Sequence, residues 1–282
     1  MSRIADLGLA ASGRLVSVPT AVAVPEGFMM DLPGRGRTYV VDTGPPVAAG
    51  PSAGGTAIRP TIILLHALAC TGLLTWYPTL PVLRERYRVV TFDQRWHGQG
   101  IFTDRFSLDD CADDVIAVAD GLGLDRFIVA GYSMGSLVAQ LVWRRHPQRP
   151  AGVVMCASTT RFVRSEREPA ALRIVGDRMA RAALRASPTG RVTGPWLPGD
   201  RTTDNRWALE QFRSTTGRRA AAAAAEISRF DSSGWIGSMN VPAAVVVTAR
   251  DRLIPADRQR ELARRIRGTA VYDVDAGHAA CV

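Results

Sequence analysis

The chain is 282 residues long, 46% hydrophobic, 22% charged and 7% aromatic, the balance of a globular protein with a sizeable core of its own. No apolar stretch reaches the roughly 18 to 20 residues needed to cross a bilayer, and the first twenty residues hold no continuous apolar segment of the secretory kind. Intrinsic disorder, collagen, coiled coil and integral membrane protein are excluded. The net charge of +9 comes with 35 basic residues, all of them arginine. They are scattered along helix-like segments such as 256–267 and not gathered into a stripe or module, so nucleic acid is not an expected partner.

The first strand signal is TIILLH (61–66), preceded by a Gly-, Pro- and Ala-rich stretch, 44–60, that has the composition of a surface loop. RVVTFD (88–93), RFIVAGYS (126–133), AGVVMCAS (151–158), AAVVVTA (243–249) and TAVYDVD (269–275) follow. Each is short, apolar on both faces and bounded by turn residues, as a parallel strand covered by helices should be. Between them, Ser107 and Asp110 have capping-box spacing ahead of a helix that aligns Cys111, Val115 and Val118. Further helices are expected over 134–145, stopped by Pro147, and over 256–267. Strand–helix alternation predicts right-handed crossovers and a doubly wound α/β sheet. Some eighty residues, 158–240, separate two strands; their helical composition predicts a lid insertion into a core made of 1–157 and 241–282.

The four cysteines, Cys70, Cys111, Cys156 and Cys281, have no metal-ligand spacing. No metal site is expected, Cys111 and Cys156 fit as small core residues, and a reducing cytoplasm is the expected location.

Two G-x-S-x-G matches occur, at 50–54 and at 131–135. The first, GPSAG, follows no strand and opens no helix. The second, GYSMG, closes an apolar strand and precedes a helix pattern, the strand–turn–helix setting of a nucleophile elbow. There the Ser133 hydroxyl would project from the sheet's carboxyl edge on a strained turn, with Gly131 and Gly135 relieving crowding between strand and helix and the Met134 amide available to an oxyanion. A serine hydroxyl needs a base and the base an orienting acid. Of the four histidines, His146 fits a helix C-terminal cap and His66 a loop tie. His278, just past the last strand signal, is the base candidate. Asp251 follows a strand and is the favoured acid; Asp257, in the next helix, is the lesser alternative.

These motifs resemble the α/β-hydrolase superfamily, in particular its lid-bearing bacterial branch of esterases, enol-lactonases, C–C hydrolases and cofactor-free perhydrolases. The resemblance runs from about residue 28 to the end and rests on LLHALACTG (64–72), FDQRWHGQG (92–100), GYSMG, TARDRLIP and DAGH in family order. It implies an α/β-hydrolase fold with an eight-stranded, mostly parallel sheet and a triad of Ser133, Asp251 and His278. It also implies an oxyanion hole made by the backbone N–H groups of Leu68 and Met134. No metal or organic cofactor is needed. A small acyl compound is the expected partner, with neither nucleic acid nor membrane; a homodimer stays open. Asp93, Arg95 and His97 match a structural turn of the family. Trp76, Trp196 and Trp207 are acyl-pocket candidates.

Several positions depart from the family pattern. Ala67 replaces the glycine of the usual His-Gly pair, Trp96 stands at a usual glycine, and Ser136 stands where a second glycine is common after the elbow. All three are expected to act on pocket shape. Four residues follow His278 where the family continues with a covering helix, so the hold on the base is the expected weak point. The implied activity is hydrolysis of a carboxylic ester or related acyl compound. Enol-lactone, C–C bond or peracid chemistry on the same triad is the first alternative, and a catalytically idle binding protein the second.

Overall fold

The computed structural model describes residues 26–44, 60–162, 204–278 and 280–281. GPSAG, Trp196 and residues 163–203 of the expected lid lie outside them.

Eight strands form one sheet: β1 (Phe28–Leu32), β2 (Gly36–Asp42), β3 (Thr61–Leu65), β4 (Arg88–Phe92), β5 (Phe127–Tyr132), β6 (Pro150–Cys156), β7 (Ala243–Thr248) and β8 (Ala270–Val274). Their order is β1-β2-β4-β3-β5-β6-β7-β8. The β1–β2 and β2–β4 pairs are antiparallel, and every other pair is parallel. The helices are α1 (Gly72–Trp76), α2 (Leu80–Leu83), α3 (Leu108–Gly121), α4 (Met134–Arg145), α5 (Asp204–Arg213), α6 (Gly217–Arg229) and α7 (Ala256–Arg265).

Strand alternation divides the core. Ile63, Leu65, Val90, Phe92 and Val129 face a large cluster with α3, α4 and α7. Ile62, Leu64, Val89, Ala130 and Tyr132 face a smaller one with Trp76 and Leu80. Both faces of β3 are buried, hence its unbroken apolar sequence. α3 begins where the spacing predicted: the Ser107 hydroxyl accepts from the Asp110 N–H at 3.3 Å, and Cys111, Val115 and Val118 are buried. The Asp110 carboxylate does not complete the capping box but turns to Arg95, 3.3 Å away.

β3 lies between β4 and β5, so the winding direction reverses beside it. Open α/β sheets bind ligands at such a point, outside the carboxyl ends of the strands. Leu65 pairs with Gly131 at this edge, which brings the segments after β3 and β5 side by side.

Candidate active site

The turn after β5 is tight enough to dictate its residues. A Cβ on Gly131 would lie 2.1 Å from the Gly135 carbonyl oxygen, and one on Gly135 would lie 2.2 Å from that of Leu65. Both glycines are there for close approach of strand, turn and neighbouring strand. The strain is carried by Ser133, with φ 50° and ψ −115°, a conformation that L-residues hold only when their surroundings enforce it. The Ser133 N–H donates to the Cys156 carbonyl at 3.0 Å, anchoring the turn to β6.

Two segments distant in sequence meet this serine. Asp251 follows β7, and its carboxylate is fixed on all sides. The Leu253 and Ile254 amides donate to Oδ1 at 2.8 and 2.9 Å, and the Thr248 hydroxyl donates to Oδ2 at 2.8 Å. His278, after β8, places Nδ1 2.7 Å from Asp251 Oδ2 and Nε2 2.9 Å from Ser133 Oγ. Burial pushes the Asp251 carboxyl up, but the His278 bond and the Ile254 amide, with Thr248, outweigh it and hold it below its ordinary range. An ionised carboxylate accepts only, so His278 carries its proton on Nδ1 and turns the Nε2 lone pair to the serine hydroxyl. The exposed Asp257, in the first turn of α7, makes no bond to this histidine.

The loop after β3 is held from behind. The Ala67 carbonyl accepts from the Cys70 N–H at 3.2 Å and from His66 Nδ1 at 2.8 Å. His66 Nε2 in turn accepts from the Gln94 N–H at 2.8 Å. That bond requires a lone pair on Nε2, and burial with His97 alongside drives the imidazole pKa well down. His66 is therefore a neutral tie, as its position in the loop predicted. Because a peptide group is planar, fixing the Ala67 carbonyl fixes the Leu68 N–H on its far side. The Ser133 carbonyl is fixed likewise by the Ser136 N–H at 2.9 Å and the Ser136 hydroxyl at 2.5 Å, which sets the direction of the Met134 N–H. Neither the Leu68 nor the Met134 amide has a hydrogen-bond partner among the described residues.

Ser136 corrects one expectation. It is fully buried behind the nucleophile and shapes no pocket. Its hydroxyl also meets Ser158 Oγ at 2.7 Å, where a buried chain continues through Gln140 to Ser232. Trp96 holds φ +67°, the value a glycine would adopt freely. Its indole N–H donates to the Thr103 carbonyl at 2.9 Å and its ring packs on Phe106. Ala67 fits its methyl into the smaller core cluster.

The turn after β4 is structural. Asp93 accepts from Gly72 at 2.9 Å and from Gln99 at 2.8 Å. Arg95 pairs with Asp114 through a bond of 2.7 Å, and Arg35 reaches the same carboxylate at 2.6 Å. α5 and α6 are joined to this edge by Gln211, which accepts from the Thr71 hydroxyl at 2.5 Å, and by Thr215, which accepts from the Gly98 amide at 3.2 Å. Trp76 lies edge-on to Tyr132, and Trp207 edge-on to Tyr77. Burial pushes the Cys70 thiol up to about 11 against a bond to Thr75, so it stays protonated at neutral pH. Among the described residues no three His, Cys, Asp or Glu side chains group as metal ligands, and no helix is long and apolar enough to cross a membrane.

Residues 60–282 match the family model described as alpha/beta hydrolase fold, and the chain belongs to that family. A RutD protein of Caulobacter sp. (strain K31), named for carbamate hydrolysis, is 26% identical over 220 residues, covering 76% of this chain and 81% of that one. Among solved structures, the enol-lactonase from Burkholderia xenovorans LB400 superposes with a TM-score of 0.68 at 23% identity, covering 90% of this chain and 94% of its own. A thermophilic esterase from Thermogutta terrifontis does so at 0.67 and 22%, covering 90% and 92%. At these identities the two structures share the fold with this chain.

Proposed function

We propose that the protein is a serine hydrolase of carboxylic esters or related acyl compounds, working through an acyl-enzyme on Ser133. The observation that carries the reading is the continuous relay Ser133 Oγ, His278 Nε2, His278 Nδ1, Asp251 Oδ2, with steps of 2.9 and 2.7 Å at its two hydrogen bonds. In it, His278 takes the Ser133 proton as Oγ attacks the acyl carbon. Asp251 stays ionised and stabilises the imidazolium so formed. The Leu68 and Met134 amides donate to the oxyanion that develops on the carbonyl oxygen, aimed beforehand by the bonds behind them. His278 then gives its proton to the leaving oxygen, which departs as alcohol. Water, deprotonated by His278, attacks the acyl-enzyme and releases the acid.

Residues 158–240 are proposed to serve as the lid over this site, in support of which Gln211 of α5 bonds the loop after β3, and Thr215, between α5 and α6, bonds the loop after β4. The names of the similar proteins point to a carbamate, an enol-lactone and an ester, and a carbamate, an enol-lactone and a carboxylic ester would each present an acyl carbon to the same relay. C–C bond hydrolysis and peracid formation remain the alternative uses of the triad, separated from ester hydrolysis by product analysis.

Intact-mass spectrometry after treatment with a fluorophosphonate tests the reading. One adduct is expected on the wild type and none on Ser133→Ala, with esterase activity in that variant reduced to a few per cent or less. An unlabelled, folded wild type would overturn the reading in favour of an idle binding fold.

A further inference from the structure

The base of this relay follows β8, the edge strand of the sheet, which is paired with β7 along its length. All five residues of β8 are exposed, with Tyr272 at 61% and Val271 at 45%, and His278 lies four residues past its end. The connecting segment has bonds of its own. The Ala249 N–H donates to the Val274 carbonyl, and the Arg250 N–H to that of Ala276, both at 2.9 Å. The Arg250 side chain bonds the Asp275 carbonyl and carboxylate, but this pair is mostly exposed and so adds little constraint. None of these bonds reaches His278 itself.

Asp251 and Ser133 hold the His278 ring, and one buried side chain holds its backbone. Tyr132, the residue between Gly131 and Ser133 in the elbow, is 6% exposed, and its hydroxyl donates to the His278 backbone carbonyl at 2.9 Å. The two rings meet edge-on, their centroids 6.0 Å apart. The Ala280 amide faces the same phenol oxygen and also donates to the Gly277 carbonyl at 3.2 Å. On the other side, Trp76 closes on Tyr132 with centroids 6.3 Å apart, so the phenol cannot swing away without opening the smaller core cluster. Burial, with the Cys281 and Cys156 thiols nearby, pushes the phenol pKa further above its ordinary value, so Tyr132 remains a donor throughout the working pH range.

We propose that Tyr132 is a positioning residue for the general base: its hydroxyl pins the His278 backbone and so holds the imidazole between Asp251 and Ser133. The inference rests on the triad reading above and adds a residue to it. Nucleophile and base are 145 positions apart in the chain, yet the side chain next to the nucleophile holds the base directly. A shift of the elbow would then carry Ser133 and His278 together.

Tyr132→Phe removes the hydroxyl and keeps the ring. With 4-nitrophenyl acetate as probe, kcat is expected to fall about 5- to 10-fold, the equivalent of one buried hydrogen bond. KM should stay within about twofold, since no substrate contact is lost. The rate of Ser133 labelling by a fluorophosphonate should fall by the same factor as kcat. The deciding measurement is the double variant. In a His278→Ala background, Tyr132→Phe should change the residual rate by less than about twofold, because the residue through which it acts is gone. In the low-field proton spectrum, the His278 Nδ1–H signal should exchange faster with water in Tyr132→Phe while the thermal melt still shows a folded protein. A kcat within twofold of wild type, or the same fractional loss in both backgrounds, would overturn the inference. Equal activity of wild type and His278→Ala would instead overturn the triad reading, so the two failures are distinguishable.

Discussion

Asp93→Asn tests the balance of forces in the turn beneath the oxyanion loop. Asp93 is 4% exposed, and burial pushes its carboxyl from the ordinary 3.8 up to about 6, against the opposing pull of the Gln99 and Gly72 amides. In the unfolded chain the group returns to 3.8. Between those two values the folded protein holds more protons than the unfolded one, so acid stabilises the fold through this residue. Asp93 is thus a cost at neutral pH, lifted progressively as pH falls through 6. A displacement of about two units at 1.36 kcal/mol each amounts to ~3 kcal/mol over the full range, of which ~2 kcal/mol is reached between pH 7 and pH 4.5. The wild type alone does not display it. His97, lowered by burial to about 4, binds its proton in the unfolded chain first and makes acid destabilising over much of the same window. Asparagine does not titrate, so the difference between the two proteins isolates Asp93. Urea unfolding at several pH values from 7 to 4.5 should show the wild type gaining ~2 kcal/mol on Asp93→Asn as pH falls. A flat difference would refute the reasoning and show that the two amide bonds cancel the cost of burial.

Asp114→Asn leaves the Arg95 guanidinium, 5% exposed, with only the more exposed Asp110 carboxylate 3.3 Å away, and should cost about 3 kcal/mol in urea unfolding. Asp31→Asn, at a pair exposed by 61% and 76%, should stay within about 1 kcal/mol of wild type as the control. Ser136→Ala frees the Ser133 carbonyl from one of its two donors. It should lower kcat on 4-nitrophenyl acetate about tenfold, less than removal of an oxyanion donor costs, with KM unchanged. An equal rise in KM would place Ser136 in substrate binding instead.

The sheet was legible because most of its strands are buried on both faces. TIILL and AAVVV allow no other reading at that length between turn residues, and six strands fall within one or two residues of their sequence-based limits. β1 and β2 escaped individual reading because they are half-exposed, with burial that follows no clean alternation. α1 and α2, of five and four residues, are too short for periodicity to register. At the site, local chemistry marked Ser133, Asp251 and His278, since elbow, strand end and loop each carry a signature in sequence. Tyr132, Gln140, Gln211 and Gln259 carry none. Each acts on a partner distant in the chain or, as Gln259 does on Thr248 and Asp251, through a side chain whose direction only the packed fold sets. Ser136 was visible as a departure from the family, but the inward turn of its hydroxyl was not.

The Leu68 and Met134 amides take their aim from the carbonyl ends of their own peptides, tied at Ala67 and Ser133. Neither aim depends on what side chain residue 68 or residue 134 carries. Under the proposed mechanism, position 68 is thereby released from conflict between specificity and catalysis, whereas Met134 is fully buried in the large core cluster and is fixed by its packing. Leu68 is only half-buried and can be exchanged for a larger, smaller or polar side chain to suit a different acyl group, without redirecting the donor beneath it. In that mechanism, a substitution at residue 68 would change the acyl groups accepted while the oxyanion donor keeps its direction.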